Sequence, residues 1–299
     1  MMPVKSSAKP RGQLLMNEPM SRHTSWRVGG PADRCYIPAD LDDLAIFLKS
    51  LPPPETVHWV GLGSNLLVRD GGVRGTVIVT SGALNKLSVL PNGVLRAEAG
   101  VASAKVARFS ADQGLTGAEF LAGIPGTIGG ALAMNAGAFG GETWKIVEAV
   151  ETIDRQGERR QRVPTDYQIG YRSVRGPRNE WYVAAHFRLH AGEAARGKSL
   201  IKTLLAKRGA SQPTQLPNAG SVFKNPPNDH AARLVEASGL KGTCVGKACV
   251  SELHANFIVN QGGATADDIE HLISRIQATV ENLHGVTLEP EVRVIGEAT

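Results

Sequence analysis

An eight-residue stretch, Ala219-Gly220-Ser221-Val222-Phe223-Lys224-Asn225-Pro226, holds the densest set of chemically useful side chains in this sequence. Ser221 can donate or accept one proton, Lys224 carries a positive charge, and Asn225 has an amide that both donates and accepts. The glycine before the serine lets another molecule approach the backbone closely. Together these groups are typical of a site for an anionic substrate. A solvated surface turn is the alternative, which the apolar pair between the polar residues disfavours.

A first glycine loop, Gly61-Leu62-Gly63-Ser64-Asn65-Leu66, follows a predicted strand and invites comparison with the Rossmann fingerprint. That fingerprint needs a third glycine where this chain has Leu66, and a later acid that binds the ribose, which is not evident here. The G-x-G pattern does not recur in the chain. The sequence therefore predicts no nicotinamide-binding Rossmann domain.

A second glycine loop, Gly123-Ile124-Pro125-Gly126-Thr127-Ile128-Gly129-Gly130, adds the Thr127 hydroxyl to a run of exposed backbone. The apolar residues 131–134 that follow are compatible with a helix that begins in the loop. Successive free N–H groups at a helix start form a site for a diphosphate. A packing turn is the alternative, but two such loops and the nearby Asn135-Ala136-Gly137-Ala138 favour a cofactor diphosphate.

The supporting elements are short and mixed, which predicts an α+β protein. Asp40 is expected to cap one helix, which Pro52 ends. The clearest helix begins at Thr265-Ala266-Asp267-Asp268, a capping box with an acid in place of the usual Glu, and ends at Gly285. The other predicted helices cover 102–113, 230–238 and part of 192–217, and the predicted strands cover 34–38, 57–60, 76–79, 94–98, 147–154, 158–163, 181–189, 256–259 and 288–295.

Composition narrows the function classes. The 299 residues include 33 basic and 28 acidic side chains, a net charge of +5 that mildly favours anionic ligands. Aromatic residues make up only 5% and no basic run is interleaved with them, so we expect no nucleic-acid partner. No apolar run is long enough to span a membrane, and we expect a cytoplasmic protein without an obligate protein partner.

Three cysteines, Cys35, Cys244 and Cys249, are odd in number and lack the C-x-x-C spacing. This pattern disfavours a disulfide framework or a zinc site, and it favours three reduced, partly buried thiols. The histidines show no H-E-x-x-H pattern, so no metal site is expected. Residues 1–20 lack the apolar region that a secretory signal needs. They are expected to form a disordered N-terminal tail.

The glycine loops resemble the FAD-binding domain of vanillyl-alcohol oxidase-type flavoproteins, the two-part domain also called PCMH-type. Further motifs narrow the resemblance to the UDP-N-acetylenolpyruvoylglucosamine reductase family, over residues 22 to 295. These motifs are Ile169-Gly170-Tyr171-Arg172-Ser173, Gly220-Ser221-Val222-Phe223-Lys224-Asn225-Pro226, His254-Ala255-Asn256-Phe257 and Leu288-Glu289-Pro290-Glu291-Val292-Arg293.

The resemblance implies an FAD-binding domain at 21–192, in two subdomains that divide near 85–95, and a smaller α/β substrate-binding domain at 193–299. It implies FAD and NADPH as cofactors and the enolpyruvyl ether of a UDP-sugar as substrate, in bacterial peptidoglycan and cell-wall synthesis. The implied catalytic residues are Arg172, Ser221 and Glu291, and the implied substrate contacts are Lys224, Asn225 and Asn256. The implied cofactor contacts are Gly61, Gly63, Ser64, Asn65, Leu66, Gly123, Pro125, Gly126, Thr127, Gly129, Gly130, Asn135, Ala136, Gly137 and Ile169.

Side-chain chemistry suggests a role for each implied catalytic residue. Arg172 can bind the substrate carboxylate and the charge that develops on hydride delivery. Glu291 can donate a hydrogen bond if burial keeps it protonated, although pairing with Arg293 at a strand end is an equal alternative. Ser221 can pass a proton to the inner carbon, with help from Lys224 or water.

The resemblance also bears on the family subtype and on where NADPH binds. One family subtype closes an inserted tyrosine over its substrate, whereas here Tyr182 is the only tyrosine between Arg172 and Ser221, so the chain resembles the subtype without that lid. Because no Rossmann domain is present, NADPH and the UDP-sugar are expected to share one cleft in a ping-pong cycle. An oxygen-dependent oxidase and a non-enzymatic nucleotide-binding protein are the rival functions.

Overall fold

The computed structural model describes residues 9–299, and mixed helices and strands confirm the α+β class. The α-helices are α1 Leu41–Ser50, α2 Ser103–Asp112, α3 Ile128–Ala133, α4 Ala194–Ser211, α5 Ala231–Ala237 and α6 Ala266–His284. Short 3-10 helices cover Met20–Arg22, Glu119–Gly123, Thr143–Lys145 and Pro164–Asp166.

The strands are short and belong to several sheets. They are β1 Gln13–Pro19, β2 Pro31–Ile37, β3 Val57–Val60, β4 Leu66–Val68, β5 Val73–Val79, β6 Leu87–Val89, β7 Leu95–Glu98, β8 Leu115–Thr116, β9 Gly137–Ala138, β10 Gly141–Glu142, β11 Val147–Asp154, β12 Arg159–Arg162, β13 Gln168–Gly170, β14 Ser173–Arg175, β15 Glu180–Phe187, β16 His190–Ala191, β17 Cys244–Val245, β18 Ala248–Val250, β19 Ile258–Asn260 and β20 Arg293–Ile295.

The first subdomain is a sheet in the order β1-β2-β5-β3, covered by α1. The Asp40 side chain caps α1 by accepting the Asp43 N–H at 2.8 Å, as the sequence predicts. The expected disordered tail is wrong for its later part, since β1 pairs in antiparallel fashion with β2 along its length. Residues 1–8 lie outside the described residues.

The second subdomain is a sheet in the order β12-β11-β15-β7-β6, which shares one buried core with α2 and α4. The chain changes sheet between β5 and β6, at the start of the predicted split. Ile201 of α4 is buried in the same core as Val106 and Phe187. Helix α4 therefore packs with this subdomain, so the predicted boundary at 193 falls too early and the division follows α4.

The C-terminal part packs α5, α6 and the sheet β17-β18-β19 around one core, to which Trp26 and Leu67 of the N-terminal part contribute. Strand β20 runs parallel to β4. Trp26 also donates its indole N–H to the Ile258 carbonyl at 2.7 Å, and Asn260 Nδ2 donates to the Trp26 carbonyl at 2.9 Å. The Arg293 N–H also donates to the Asn65 carbonyl at 3.0 Å, which joins the C-terminal part to the first glycine loop.

Most predicted elements are confirmed within a few residues. The capping box at Thr265 and the left-handed Gly285 at the end of α6 are both present. The strand predicted at 288–295 is shorter, since only Arg293–Ile295 forms a strand, β20. The expectation of three free thiols is wrong, because Cys244 and Cys249 face each other across the β17–β18 hairpin as a disulfide, and only Cys35 is free and buried.

Among residues 9–299, no helix is both long and apolar enough to cross a membrane. The same residues contain no group of three or more His, Cys, Asp or Glu side chains arranged to hold a metal ion.

Candidate functional site

The segment that follows Ser221 runs between two other segments of the C-terminal part and is hydrogen-bonded to both. On one side the Val222 N–H donates to the Asn256 carbonyl at 2.9 Å. On the other side the Glu291 N–H donates to the Val222 carbonyl at 2.7 Å. Because Ser221 directly precedes Val222, this pairing brings Ser221 and Glu291 to the same place in the fold.

Arg172 reaches this place from the second subdomain. Its Nε lies 2.9 Å from Glu291 Oε1, with both side chains largely buried. The Nε–H is not aimed at that oxygen, so the two groups are in close contact without hydrogen-bond alignment. Glu291 is in turn tied to the first glycine loop, since Asn65 Nδ2 donates to the Glu291 carbonyl at 3.1 Å. The structure thus brings together the three residues that the sequence predicts to be catalytic.

The backbone that carries Arg172 is strained. Arg172 and Tyr171 form the tip of the β13–β14 hairpin, and Arg172 has a φ of 51°, in the left-handed region that non-glycine residues rarely occupy. Tyr171 is 54% exposed, and its ring centroid lies 5.5 Å from the Arg172 guanidinium carbon, a cation–π contact. Strained residues of this kind gather at active sites, where the surrounding contacts hold them in place.

Glu291 is chemically unusual. Burial raises the pKa of its carboxyl above the ordinary value, although the positive charges of Arg172 and Lys224 oppose the shift. A raised pKa keeps the carboxyl protonated to higher pH than an exposed glutamate. The alternative partner Arg293 is exposed and makes no ion pair with Glu291 in the described part of the chain. The neutral form of this carboxyl can donate a hydrogen bond, whereas the ionised form can only accept one.

Two of the predicted substrate contacts have protein partners. The Lys224 ammonium pairs with the Glu289 carboxylate, so its charge is already balanced. Asn225 Oδ1 accepts the Ala231 N–H at 3.1 Å, at the first residue of α5. Its amide NH₂ group and exposed position leave Asn225 able to contact a ligand, while its oxygen supports the helix.

The third predicted contact, Asn256, is 4% exposed and is used within the protein. Its Oδ1 accepts the Phe223 N–H at 2.9 Å and its Nδ2 donates to the Phe223 carbonyl at 2.8 Å. An amide side chain thereby reproduces the paired hydrogen bonds of a neighbouring strand. Asn256 holds the Ser221 segment in place instead of facing a ligand.

The first glycine loop offers unpaired backbone donors. Within the described residues, the N–H groups of Leu62, Gly63 and Ser64 donate to no protein acceptor. Gly63 has a φ of 60°, and a Cβ there would lie 2.1 Å from the His23 carbonyl oxygen. Three successive free N–H groups on a tightly packed turn can bind the oxygens of an anion.

The second glycine loop uses two of its backbone N–H groups within the protein. The Ile128 and Gly129 N–H groups donate to the carbonyls of Val101 and Ala99, each at 2.9 Å. The predicted run of successive free N–H groups at the start of α3 is therefore wrong. What this loop does offer is the Thr127 hydroxyl, which is buried without a hydrogen-bond partner in the described structure.

A cavity of about 360 Å³ begins between the two glycine loops and extends into the second subdomain. Gly61, Thr127 and Gly130 line one part of it, and Trp59 and Tyr167 line another. Three buried polar atoms of its lining residues have no partner in the described residues, namely Trp59 Nε1, Thr127 Oγ1 and Tyr167 Oη. Because buried polar groups are almost always hydrogen-bonded, their clustering indicates a polar ligand.

Two protein families match this chain, one in its N-terminal part and one in its C-terminal part. Residues 32–161 match the family described as FAD binding domain, and residues 212–295 match the family described as UDP-N-acetylenolpyruvoylglucosamine reductase, C-terminal domain. The UDP-N-acetylenolpyruvoylglucosamine reductase of Methylococcus capsulatus is 57% identical over 99% of this chain and 97% of that protein. The chain belongs to the UDP-N-acetylenolpyruvoylglucosamine reductase family.

Other relatives agree with this assignment. The enzyme of the same name from Alkalilimnicola ehrlichii is 58% identical over 96% of each chain. The crystal structure of UDP-N-acetylenolpyruvylglucosamine reductase from Thermus caldophilus superimposes with a TM-score of 0.81 at 32% identity, over 95% of this chain and 98% of that one. The family likeness therefore holds for sequence and for fold.

The residues between the two loops fit the FAD that this family's binding domain takes. The free N–H groups of the first loop suit a diphosphate, and the unpartnered Thr127 hydroxyl lies beside it, since a Cβ on Gly61 would lie 2.3 Å from Thr127 Oγ1. The aromatic part of the cavity, where Trp59 and Trp181 stack with centroids 5.2 Å apart, suits a flat ring system.

The remaining predicted cofactor residues lie around these loops. Asn135 and Gly137 contact the Arg172 hairpin instead of opening onto the cavity. Ile169 pairs with Val174, a cavity residue, in that hairpin. The other members, Gly123, Pro125, Gly126, Gly129 and Ala136, lie in or next to the second loop.

Sequence reasoning missed several residues that the structure brings to this site. Trp59, Trp181 and Tyr167 carry no motif, and only the fold places their rings in one cavity. Phe139 is 40% exposed with a φ of 53°, and a Cβ on Gly123 would lie 2.4 Å from its ring. The Asn-Ala-Gly-Ala run before Phe139 was a usable signal, since it predicts irregular backbone there.

Proposed function

We propose that this protein reduces the enolpyruvyl group of a UDP-N-acetylglucosamine enolpyruvyl ether to UDP-N-acetylmuramate, with NADPH as the reductant and FAD as the carrier. This is the reaction that the resemblance implies for peptidoglycan synthesis. The observation that carries the proposal is the convergence of Ser221, Glu291 and Arg172 from three separate segments beside the first glycine loop. Bound FAD supplies the hydride in this chemistry.

Arg172 binds the substrate carboxylate and balances the charge that develops beside it. Hydride delivery to the terminal carbon leaves negative charge on the inner carbon and its carboxylate. A guanidinium stays charged and matches a carboxylate with two parallel hydrogen bonds. The close contact with Glu291 supports this role, because a bound substrate carboxylate can take the place of a Glu291 carboxyl whose pKa burial already raises.

Glu291 acts as a neutral hydrogen-bond donor toward the same developing charge. A donor of this kind accelerates the step because its hydrogen bond strengthens as charge builds in the transition state. The raised pKa supports the protonated form. On this proposal, turnover falls as the pH rises through the pKa of Glu291.

Ser221 delivers the proton to the inner carbon. Its side chain is half-buried and its hydroxyl makes no hydrogen bond to a protein group among residues 9–299. Lys224 is held by Glu289, which makes it a poor relay. The serine proton is therefore replaced from water that enters the cleft with the substrate.

NADPH and the sugar nucleotide use one cleft in turn. The strands and helices form no Rossmann unit in the described part of the chain, which supports a shared site for both nucleotides. A ping-pong cycle follows, and it gives parallel double-reciprocal lines when both substrates are varied. Intersecting lines would contradict the shared site.

Stopped-flow absorbance of the flavin separates the two half-reactions and tests the assignment. We expect Ser221→Ala to leave flavin reduction by NADPH intact and to slow reoxidation by the enolpyruvyl substrate by about 100-fold or more. Ser199→Ala, an exposed serine on α4, is the matched control. Equal loss in both half-reactions would remove Ser221 from the proton-donor role.

The rival oxidase function has a direct test. An oxidase of the wider flavoprotein class would consume oxygen with an unrelated alcohol and would not need Ser221 beside Glu291. We expect the reduced protein to react quickly with the enolpyruvyl substrate and slowly with oxygen. Rapid reaction with oxygen in the absence of any UDP-sugar would favour the oxidase.

A further inference from the structure

The hairpin that carries Arg172 is too small to be stable by itself. Strands β13 and β14 have three residues each and pair only with one another. An isolated two-stranded ribbon is marginally stable at best, and the left-handed Arg172 at its tip adds a further cost. Contacts outside the hairpin must therefore hold its tip in the position that faces Glu291.

Asn135 supplies the central contact at this place. Its side chain is almost fully buried, and its Nδ2 donates to the Gly170 carbonyl at 3.1 Å, one residue before the hairpin tip. Its Oδ1 accepts the Trp144 N–H at 3.1 Å, which fixes the orientation of the amide. Nδ2 also lies 3.4 Å from Glu142 Oε2. With a φ of 41°, the position suits asparagine, which tolerates left-handed backbone better than most residues.

The same short segment also holds the guanidinium. Arg172 Nη2 donates to the carbonyl of Gly137, two residues after Asn135, at 3.1 Å. The Asn135 amide therefore binds the hairpin one residue before its tip, and the Gly137 carbonyl binds the tip itself. A shift of the 135–137 segment moves both contacts together, and with them the guanidinium that faces Glu291.

We propose that Asn135 is a positioning residue that acts through the Gly170 carbonyl to hold the Arg172 guanidinium against Glu291. The inference rests on the proposed role of Arg172 in the reduction. It assigns Asn135 to the arginine and not to the cofactor diphosphate, since both ends of its amide are already bonded to the protein.

Asn135→Asp tests this directly. An aspartate still tolerates the left-handed backbone, and once ionised it accepts the Trp144 N–H but cannot donate to the Gly170 carbonyl. Because burial and the nearby Glu142 carboxyl raise the pKa of this aspartate, both proteins are compared at alkaline pH, where it is ionised. We expect reoxidation of the reduced flavin by the enolpyruvyl substrate to slow by about tenfold, the effect of one lost hydrogen bond of about 1.4 kcal/mol. Flavin reduction by NADPH and the affinity for FAD should stay within about twofold of the unaltered protein.

Asn17→Asp is the matched control, because Asn17 is also an asparagine with a positive φ, of 51°, but lies exposed in β1. If Asn135→Asp does not fold, Asn135→Gly keeps the left-handed backbone and removes the whole amide. Equal slowing of both half-reactions, or a large loss of FAD affinity, would assign Asn135 to the cofactor or to general stability and would overturn the proposal.

A double-mutant cycle with Arg172→Lys separates this inference from the function on which it rests. If Asn135 acts through Arg172, Asn135→Asp should add less than about twofold once the guanidinium is gone. Full additivity, with Arg172→Lys itself slow, would overturn the positioning role and leave the role of Arg172 standing. An Arg172→Lys protein as fast as the unaltered one would refute both.

Discussion

The two glycine loops resemble each other in sequence but differ in the hydrogen bonds that their backbone N–H groups make. The first, at 61–66, leaves three successive N–H groups without protein acceptors. The second, at 123–130, gives two of its N–H groups to the carbonyls of Val101 and Ala99, and so joins α3 to the end of β7. The loop with more glycines is thus largely consumed by internal packing, and the loop with fewer is open to a ligand.

The N–H groups of a glycine-rich loop can bind a ligand or bond to the protein's own carbonyls, and the residues packed around the loop determine which of the two occurs. Gly61 and Gly63 are needed because other protein atoms occupy the space that a Cβ would take, and this tight turn leaves the N–H groups of residues 62–64 without protein acceptors. The second loop contributes chiefly the unpartnered Thr127 hydroxyl. Substitutions in each loop should therefore differ in size and in what they change.

The largest effect is expected at Gly63. Alanine there would carry a left-handed φ of 60° and a Cβ 2.1 Å from the His23 carbonyl oxygen, a backbone atom that cannot rotate away. We expect Gly63→Ala to lower the free energy of unfolding by roughly 2–4 kcal/mol and to abolish FAD retention. Chemical denaturation and flavin absorbance of the purified protein measure both. A stable, yellow Gly63→Ala protein would contradict this account of the first loop.

A smaller effect is expected at Gly61. Its added Cβ would meet a buried side-chain atom, Thr127 Oγ1, at 2.3 Å, and side-chain atoms can shift at a cost of about 1–3 kcal/mol. We expect Gly61→Ala to weaken FAD binding about 10- to 100-fold in a fluorescence titration. Adding Thr127→Ala should recover the lost stability, because the obstructing atom is removed, but not the lost affinity. Recovery of both would mean that the Thr127 hydroxyl makes no contact with the cofactor.

Thr127→Val should separate affinity from stability. The hydroxyl is buried, unpartnered and makes no capping hydrogen bond to α3, so its loss removes a desolvation penalty of about 1–3 kcal/mol from the protein without FAD. We expect a higher melting temperature without FAD and an affinity for FAD that is about tenfold weaker. An unchanged affinity would show that the hydroxyl faces some other group.

The smallest effect is expected at Gly126 in the second loop. Its added Cβ would lie 2.9 Å from Ser64 Oγ, the end of a side chain that can rotate to another staggered position. We expect Gly126→Ala to change FAD affinity by less than about threefold and stability by less than about 1 kcal/mol. A loss as large as that of Gly61→Ala would mean that both loops bind the cofactor equally.

The local features of the fold could be predicted from sequence alone. The Asp40 cap, the Thr265 capping box and the Gly285 stop depend on side chains within a few residues of the backbone they bind. The disulfide was missed for the opposite reason. Cysteine spacing does not reveal that Cys244 and Cys249 face each other across a hairpin, since this depends on register.

The candidate site divides in the same way. The motifs identify Arg172, Ser221 and Glu291 as a set. They do not show that the Glu291 N–H bonds to the residue after Ser221, or that Arg172 reaches Glu291 from another subdomain. They also assign Asn135 and Asn256 to ligands, although both amides bind the backbone of a catalytic segment. An amide serves a ligand or the backbone equally well by its chemistry.

The sequence by itself determined which residues are chemically able to act, because side-chain type and local spacing are written along the chain. The tertiary structure decided which backbone N–H groups stay free, which carboxyl is buried enough to have a raised pKa, and which asparagines bind protein instead of ligand. Each of these depends on partners distant in sequence, since buried hydrogen-bonding groups bind whatever the fold brings within reach.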